Sequence, residues 1–285
     1  MKLCRKTEHF LDSLDSVVDF SFLSFVFHSK TNKRLLIPAD LAGVRSFIQE
    51  QQVETRIIGG YESWAHSWPW QVSLQFVNMP ACGGAIISPQ WVVSAAHCFK
   101  RCFKQGVYIL VVGVSMIISH RGYNTRTKEN DVSLLKLQKP LVFNQFIRPI
   151  DIWMSPLSPS RKCTITGWGS TQENGPRVQR LQEVNVTILP PEVCNQYYLG
   201  RMRPSMFCAG RDRGGVDACQ GDSGGPLACF TGSRFELAGL VSWGIGCGRA
   251  RRPGVYTKLQ QNVEWIFRPH LTTFVINGAF SCPFC

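Results

Sequence analysis

The chain has 285 residues with 12 Cys, 25 Gly and 16 Pro, too long for a disulfide mini-protein and long enough for one large β domain or two small ones. Hydrophobic residues at 44% and charged residues at 18% exclude wholesale disorder, and the glycines keep no three-residue period, which excludes collagen. Of the formal charge of +12, residues 57–285 carry +11 and residues 1–56 only +1; this favours polyanions or acidic protein surfaces, yet no basic tract interleaves with base-stacking aromatics, so nucleic acid is not an expected partner.

In chain order, residues 1–56 read as a leader and propeptide. Lys2, Arg5 and Lys6 suit the start of a secretory leader, but Asp12, Asp15 and Asp19 interrupt the apolar stretch, so the leader is atypical. The best apolar run, Phe20 to Phe27, is short and carries Ser21 and Ser24, so no membrane span is expected. After the polar stretch Gln51 to Thr55, Arg56-Ile57-Ile58-Gly59-Gly60 opens a β-rich region. Short apolar runs such as Val72 to Val77, Tyr108 to Val112 and Leu237 to Trp243, punctuated by Gly, Pro and Asn, indicate a barrel or sandwich. Between them, Asn185-Val-Thr187 is an N-glycosylation signal on a strand-like stretch whose Val184, Val186 and Ile188 face inward while Asn185 faces out. Only Asn262 to Arg268, before Pro269, reads as a helix, and residues 269–285 form a tail.

The cysteines at 4, 82, 98, 102, 163, 194, 208, 219, 229, 247, 282 and 285 are scattered singly, which argues against a zinc knuckle and for an oxidising compartment. Cys282 and Cys285 form one C-x-x-C, but in a terminal tail without a βαβ context it reads as a terminal disulfide or loose thiols before a redox motif. Secretion follows from the cysteines more than from the leader.

Three segments carry chemistry: Trp91 to Cys98 with His97, Asn130 to Leu137 with Asp131, and Asp217 to Pro226 with Ser223. Singly, Ser223 could be a turn residue, His97 a half-buried side chain and Asp131 a solvated acid. Jointly, in this order and with these flanking residues, residues 56–268 resemble the trypsin-like (chymotrypsin-fold) serine proteases. The resemblance implies an all-β fold of two six-stranded antiparallel barrels, about 57–149 and about 150–258, split near Pro149, with a C-terminal helix over about 259–268. Ser223 would be the nucleophile, and a serine hydroxyl needs a base because it is barely ionised at neutral pH. His97 would take and return the proton, histidine being the residue type that titrates nearest neutrality, and Asp131 would hold its tautomer. The N–H groups of Gly221 and Ser223 would form an oxyanion hole worth roughly 3 kcal/mol per donor, with Gly224 and Gly225 keeping the approach open.

The family's pocket acid stands six positions before the nucleophile, here at Asp217, so cleavage after Arg or Lys is expected. Ala218 offers no hydroxyl to solvate an ammonium, which favours Arg over Lys. Ser242, Trp243 and Gly244 would pair with an extended substrate, and Gly244 and Gly254 would leave room for a long side chain. Cleavage at Arg56-Ile57 would free an ammonium that folds inward to Asp222. Matching motifs pairs Cys82 with Cys98, Cys163 with Cys229, Cys194 with Cys208 and Cys219 with Cys247, leaving Cys4, Cys102, Cys282 and Cys285 to pair together, between chains, or not at all. No metal or cofactor is required, and the expected partners are protein or peptide substrates and protein inhibitors.

One region departs from the family. Between His97 and Asp131 the chain is short by about ten residues, roughly a strand and its turn, which leaves the first barrel open to being incomplete and calcium unexpected. That gap supports an alternative: a catalytically weak homologue binding polyanions or proteins through Lys100, Arg101 and Lys104 and through Arg249, Arg251 and Arg252. Under the enzymatic reading the same loops would favour acidic residues on the leaving side of the substrate.

Overall fold

A computed structural model describes residues 41–45, 59–76, 79–99, 108–109 and 113–268. Its strands, in chain order, are β1 (Tyr61–Glu62), β2 (Gln71–Phe76), β3 (Met79–Ser88), β4 (Trp91–Ser94), β5 (Tyr108–Ile109), β6 (Val114–Ser119), β7 (Ser133–Leu137), β8 (Asp151–Ile152), β9 (Lys162–Gly167), β10 (Gln182–Ile188), β11 (Met206–Gly210), β12 (Pro226–Phe230), β13 (Phe235–Trp243) and β14 (Gly254–Lys258). Helix α1 (Pro191–Tyr197) precedes β11, and a 3-10 turn at Leu259–Asn262 leads into α2 (Val263–Ile266). The fold is therefore mostly β, as expected, with two helical corrections. The last helix is a single turn behind a 3-10 turn, and α1 is a helix that apolar periodicity does not reveal. Its start is nonetheless written in Pro191 at the first turn, where a missing N–H costs nothing, and in Glu192 beside it at the positive end of the backbone dipoles.

Strands β9 to β14 close into a six-stranded barrel, because β10 pairs with β11 on one edge and with β9 on the other. The other sheet runs β5-β2-β3-β4-β7-β6. It has six strands among the described residues, so the short segment removes no whole strand; the described part of β5 pairs with Gln75 and Phe76 of β2. Among the described residues nothing pairs β5 with β6. Burial along β6 alternates half-buried with exposed, the pattern of an edge strand with one solvated face.

Period-two patterning places the cores. In β2, Val72 and Leu74 are buried while Gln71, Ser73 and Gln75 are half-exposed. These pack with Val92, Val93, Leu134 and Leu135, and the same apolar cluster reaches Leu237 and Leu240 of β13, so one core spans both sheets. Ile165, Val184, Val186 and Leu227 fill the closed barrel. All four expected disulfides are present: Cys82–Cys98, Cys163–Cys229, Cys194–Cys208 and Cys219–Cys247. Cys4, Cys102, Cys282 and Cys285 lie outside the described residues.

Residues 41–45 dock on this body. Gly43 donates to Pro149 O at 2.9 Å and accepts from Phe235 N at 2.8 Å, and Arg148 Nη1 donates to Val44 O at 3.1 Å. Arg45 donates to Ser67 O at 3.1 Å, lies 3.7 Å from Glu183, and stacks 4.3 Å from the centroid of Trp68. Gly43 has φ +72°, and a Cβ there would stand 1.9 Å from Phe235 O. Gly43→Ala is therefore expected to release the segment, lowering the stability of the chain by about 2 kcal/mol in urea unfolding, against about 1 kcal/mol for Arg45→Ala.

Candidate active site

His97 lies in the 3-10 turn Ala96–Phe99 that follows β4, and Asp131 stands just before β7. Because β4 and β7 are antiparallel neighbours, with Ser94 opposite Ser133, the end of one strand meets the start of the other. Strand β5 is at the far edge of the sheet, away from this junction. Asp131 is 0% exposed. Its carboxylate accepts the His97 backbone N–H at 2.8 Å, faces His97 Nδ1 at 2.7 Å, and accepts the Ser242 hydroxyl at 2.5 Å. Thr257 Oγ1 donates to the Asp131 carbonyl at 2.9 Å. A carboxylate only accepts, so the contact assigns the proton to Nδ1 and leaves Nε2 as the basic nitrogen. The His97 side chain is 20% exposed, which leaves that nitrogen reachable.

Ser223 is half-buried. Its carbonyl accepts the Gly83 N–H at 2.7 Å, and the sulfur of Cys98, next to His97, lies 3.8 Å from the same oxygen. The backbone of Ser223 is thereby fixed beside the His97 turn, although among the described residues no hydrogen bond joins its hydroxyl to the imidazole. Gly221 has φ +106°. The N–H groups of Asp222, Gly224 and Gly225 are bonded to Cys219, Val241 and Asp222 carbonyls, while among the described residues those of Gly221 and Ser223 have no acceptor. Two free, neighbouring donors are what an oxyanion needs.

Beside Ser223 opens a cavity of about 210 Å³ walled by Ala218, Ser242, Trp243, Gly244 and Gly254 with Asp217 in its lining. Asp217 is 2% exposed. One carboxylate oxygen accepts the Gly248 N–H at 3.0 Å; the other, Oδ1, is buried without a partner. Burial pushes the carboxyl up to about 7, with the Gly248 bond pulling the other way. Gly254 is required here because a Cβ would lie 2.6 Å from Oδ1 and 2.8 Å from the Tyr256 hydroxyl. The family model described as Trypsin matches residues 57–266. The chain belongs to the trypsin family.

Other features of this trypsin-family domain were only partly legible beforehand. Asp222, 0% exposed, accepts Gly169 N–H at 2.8 Å and Cys219 N–H at 2.9 Å. Burial pushes its carboxyl up to about 6, with those backbone bonds and Arg177 opposing. Arg56 and Ile57, its expected counterpart, lie outside the described residues, as do Lys100, Arg101 and Lys104. Beyond the substrate pairing expected of its segment, the Ser242 hydroxyl completes the Asp131 carboxylate; a polar residue among the buried positions of β13 is the sequence signal for it. The pocket rim is fixed by Glu173, which takes two bonds from Arg249, at 2.8 and 2.5 Å, and one from Cys247 N–H at 3.3 Å. Asn185 is exposed on β10 between buried Val184 and Val186, and its Oδ1 accepts the Thr164 hydroxyl at 2.9 Å. Cys82, His97 and Cys98 cluster at metal-ligand spacing, but the two sulfurs are bonded to each other, which removes the thiolates a metal would use. Among the described residues no helix is long and apolar enough to cross a membrane.

The unpartnered Asp217 oxygen gives a pH signature independent of catalysis. A benzamidinium ion needs the ionised carboxylate, so its affinity is expected to rise about tenfold per pH unit up to about 7 and level off above. Fluorescence titration with p-aminobenzamidine measures it, and Asp217→Asn should abolish both the affinity and the slope.

Proposed function

We propose that this chain is a secreted serine endopeptidase that hydrolyses peptide bonds after Arg or Lys, made as a zymogen cut at Arg56-Ile57. The observation that carries the specificity is the buried, unpartnered Asp217 oxygen in a cavity opening beside Ser223. An isolated buried carboxylate is costly, and a guanidinium supplies both the charge and the paired N–H groups that its free oxygen lacks. With Ala218 beside it there is no extra hydroxyl for an ammonium, which favours Arg over Lys.

In the proposed reaction the Ser223 oxygen attacks the carbonyl carbon of the bond following the basic residue, and its proton passes to His97 Nε2. Asp131 holds the resulting imidazolium through the Nδ1–H bond. The negative oxygen of the tetrahedral intermediate is met by the Gly221 and Ser223 N–H groups. Collapse of the intermediate breaks the C–N bond, the amine leaves with the proton from Nε2, and an acyl group remains on Ser223. Water then attacks the acyl carbon while His97 takes its proton; the acyl–Oγ bond breaks, the carboxylic acid leaves, and Ser223 recovers its hydrogen from Nε2.

Asp222 supports the activation step. Its carboxyl is raised from an ordinary 3.8 to about 6, so its contribution to stability is full below about pH 4 and is lost as pH rises through about 6. Two pK units correspond to about 3 kcal/mol at neutral pH, a penalty that a new α-ammonium at Ile57 would offset. The same ammonium, with an ordinary pKa of roughly 8, would be lost at alkaline pH and activity with it. Relative to the uncut chain, the cut form is expected to gain stability at pH 7.5 but not at pH 4, with Asp222→Asn erasing the difference in urea unfolding at the two pH values.

The alternative of a basic binding module is weakened because Arg249 is engaged by Glu173 and Arg252 donates to the Tyr197 and Arg251 carbonyls, both at 2.9 Å. The deciding experiment treats the cut chain with a biotinylated arginyl phosphonate. A covalent adduct at Ser223 is expected, lost in Ser223→Ala and reduced by at least about tenfold in Asp217→Ser; an unmodified protein that still binds benzamidine would refute the catalytic reading.

A further inference from the structure

A second cavity adjoins the primary one and shares Trp243 and Gly244 with it. It measures about 520 Å³, and its remaining walls are Arg126, Thr127, Lys128, Arg201, Arg203 and Ile245, with no acidic side chain among them. Arg126, Arg201 and Arg203 are exposed and Lys128 half-buried. Among the described residues none of these four cations enters an ion pair; the pairs present engage Arg45, Arg180, Arg234 and Arg249, and His97 with Asp131. The acid nearest in sequence, Glu129, accepts the Thr127 hydroxyl at 2.8 Å.

Both cation-bearing segments are held in place. Asn124 Oδ1 accepts the N–H groups of Arg126 and Thr127 at 2.9 and 3.1 Å, and its carbonyl accepts Lys128 N–H at 2.7 Å. On the opposite side Arg201 N–H donates to Tyr198 O at 3.1 Å, Arg203 O accepts Met206 N–H at 2.9 Å, and Cys194–Cys208 closes the segment. The cations therefore surround the cavity on ordered backbone. A route into it also exists. Strand β13 ends at Trp243, and among the described residues Gly244 beyond it has no backbone partner for its N–H or its carbonyl. A chain whose basic side chain enters the Asp217 pocket can add to this edge as a strand and run its preceding residues past the four cations.

We propose that this cavity is a subsite for Asp or Glu side chains in the segment preceding the cleaved bond, so that the preferred substrates are acidic peptides ending in Arg or Lys. The assignment rests on the proteolytic reading above. Because the cavity shares Trp243 and Gly244 with the primary pocket, the acidic positions belong to the few residues next to the basic one. Each exposed cation contributes modestly, and together they discriminate by charge while repelling basic segments.

The test measures binding apart from chemistry. Ser223→Ala protein, cut after Arg56, is titrated with fluorescein-labelled Glu-Glu-Gly-Arg and Ala-Ala-Gly-Arg peptides and read by anisotropy. An advantage of about tenfold for the acidic peptide is expected at low salt, falling below about twofold near 1 M NaCl, where the screening length is about 3 Å. The double variant Arg126→Ser, Arg203→Ser should lose most of that advantage, read as the ratio of the two peptides' affinities for the variant. Equal binding of the two peptides at low salt would overturn the proposal, as would an advantage that survives the double variant. Binding of a heparin oligosaccharide at these residues without any preference between the peptides would overturn it too. The same peptides as chromogenic substrates of the Ser223 protein separate the two readings. Turnover without acidic preference removes only the subsite, and an acidic preference in binding without turnover removes only the catalytic assignment.

Discussion

Three aspartates, Asp131, Asp217 and Asp222, are almost completely buried, and the degree to which each carboxylate is satisfied orders the chemistry around it. A carboxylate taken out of water must recover its lost hydrogen bonds or accept a proton. Asp131 recovers most, with a backbone donor, an imidazole and the Ser242 hydroxyl on its two oxygens, and it becomes a fixed anchor for His97. Asp222 recovers two backbone donors and is held well above the ordinary carboxylate range. Asp217 recovers one, keeps an oxygen bare, and is raised further. Such a series runs from a completed bond network to a carboxylate with one open oxygen.

The frame makes this burial possible by joining two sheets through short-range contacts rather than through a single long element. The core that begins at Val72 and Leu134 continues to Leu237 and Leu240, and Gln71 of the first sheet accepts the Thr166 hydroxyl of the second at 2.5 Å. Gly83 binds the carbonyl of Ser223 while its neighbour Cys82 is tied to Cys98. A displacement of either sheet therefore stretches several of these links at once. The segment between His97 and Asp131 enters the sheet as β5 at the edge opposite the β4–β7 pair that carries both residues, so that pair keeps its register.

Much of this was legible in the chain because motifs such as Asp217 to Pro226 constrain a turn and its side chains together, and because the cysteines form the pairs that the family resemblance implies. What escaped is non-local. Ser242 and Asp131 are 111 positions apart, and no local pattern says that a serine in an apolar strand will face that particular carboxylate. The Arg249–Glu173 pair spans 76 positions. In the sequence Arg249 looks like part of a free basic cluster, and only the fold reveals that its charge is already engaged. Residues 41–45 carry no periodicity at all; their docking depends on Gly43 fitting against Phe235, a residue nearly two hundred positions away. Helix α1 is too short to develop an amphipathic stripe, so its capping chemistry is the only local trace of it.

Charge acts on this cleft at two length scales. Residues 57–285 carry +11, a field that by itself would repel a peptide bearing the Arg or Lys of the proposed specificity. At about 10 Å in water a single pair of charges interacts by only about 0.4 kcal/mol, and physiological salt screens beyond about 8 Å, so the repulsion acts mainly on encounter and the buried carboxylate dominates on contact. Under the proposed specificity, a substrate that also carries acidic residues would remove the conflict: its negative segment would be drawn to the basic rim, and its basic side chain would meet the open oxygen of Asp217. The long-range field and the short-range pocket would then favour the same polypeptide, although by opposite charges.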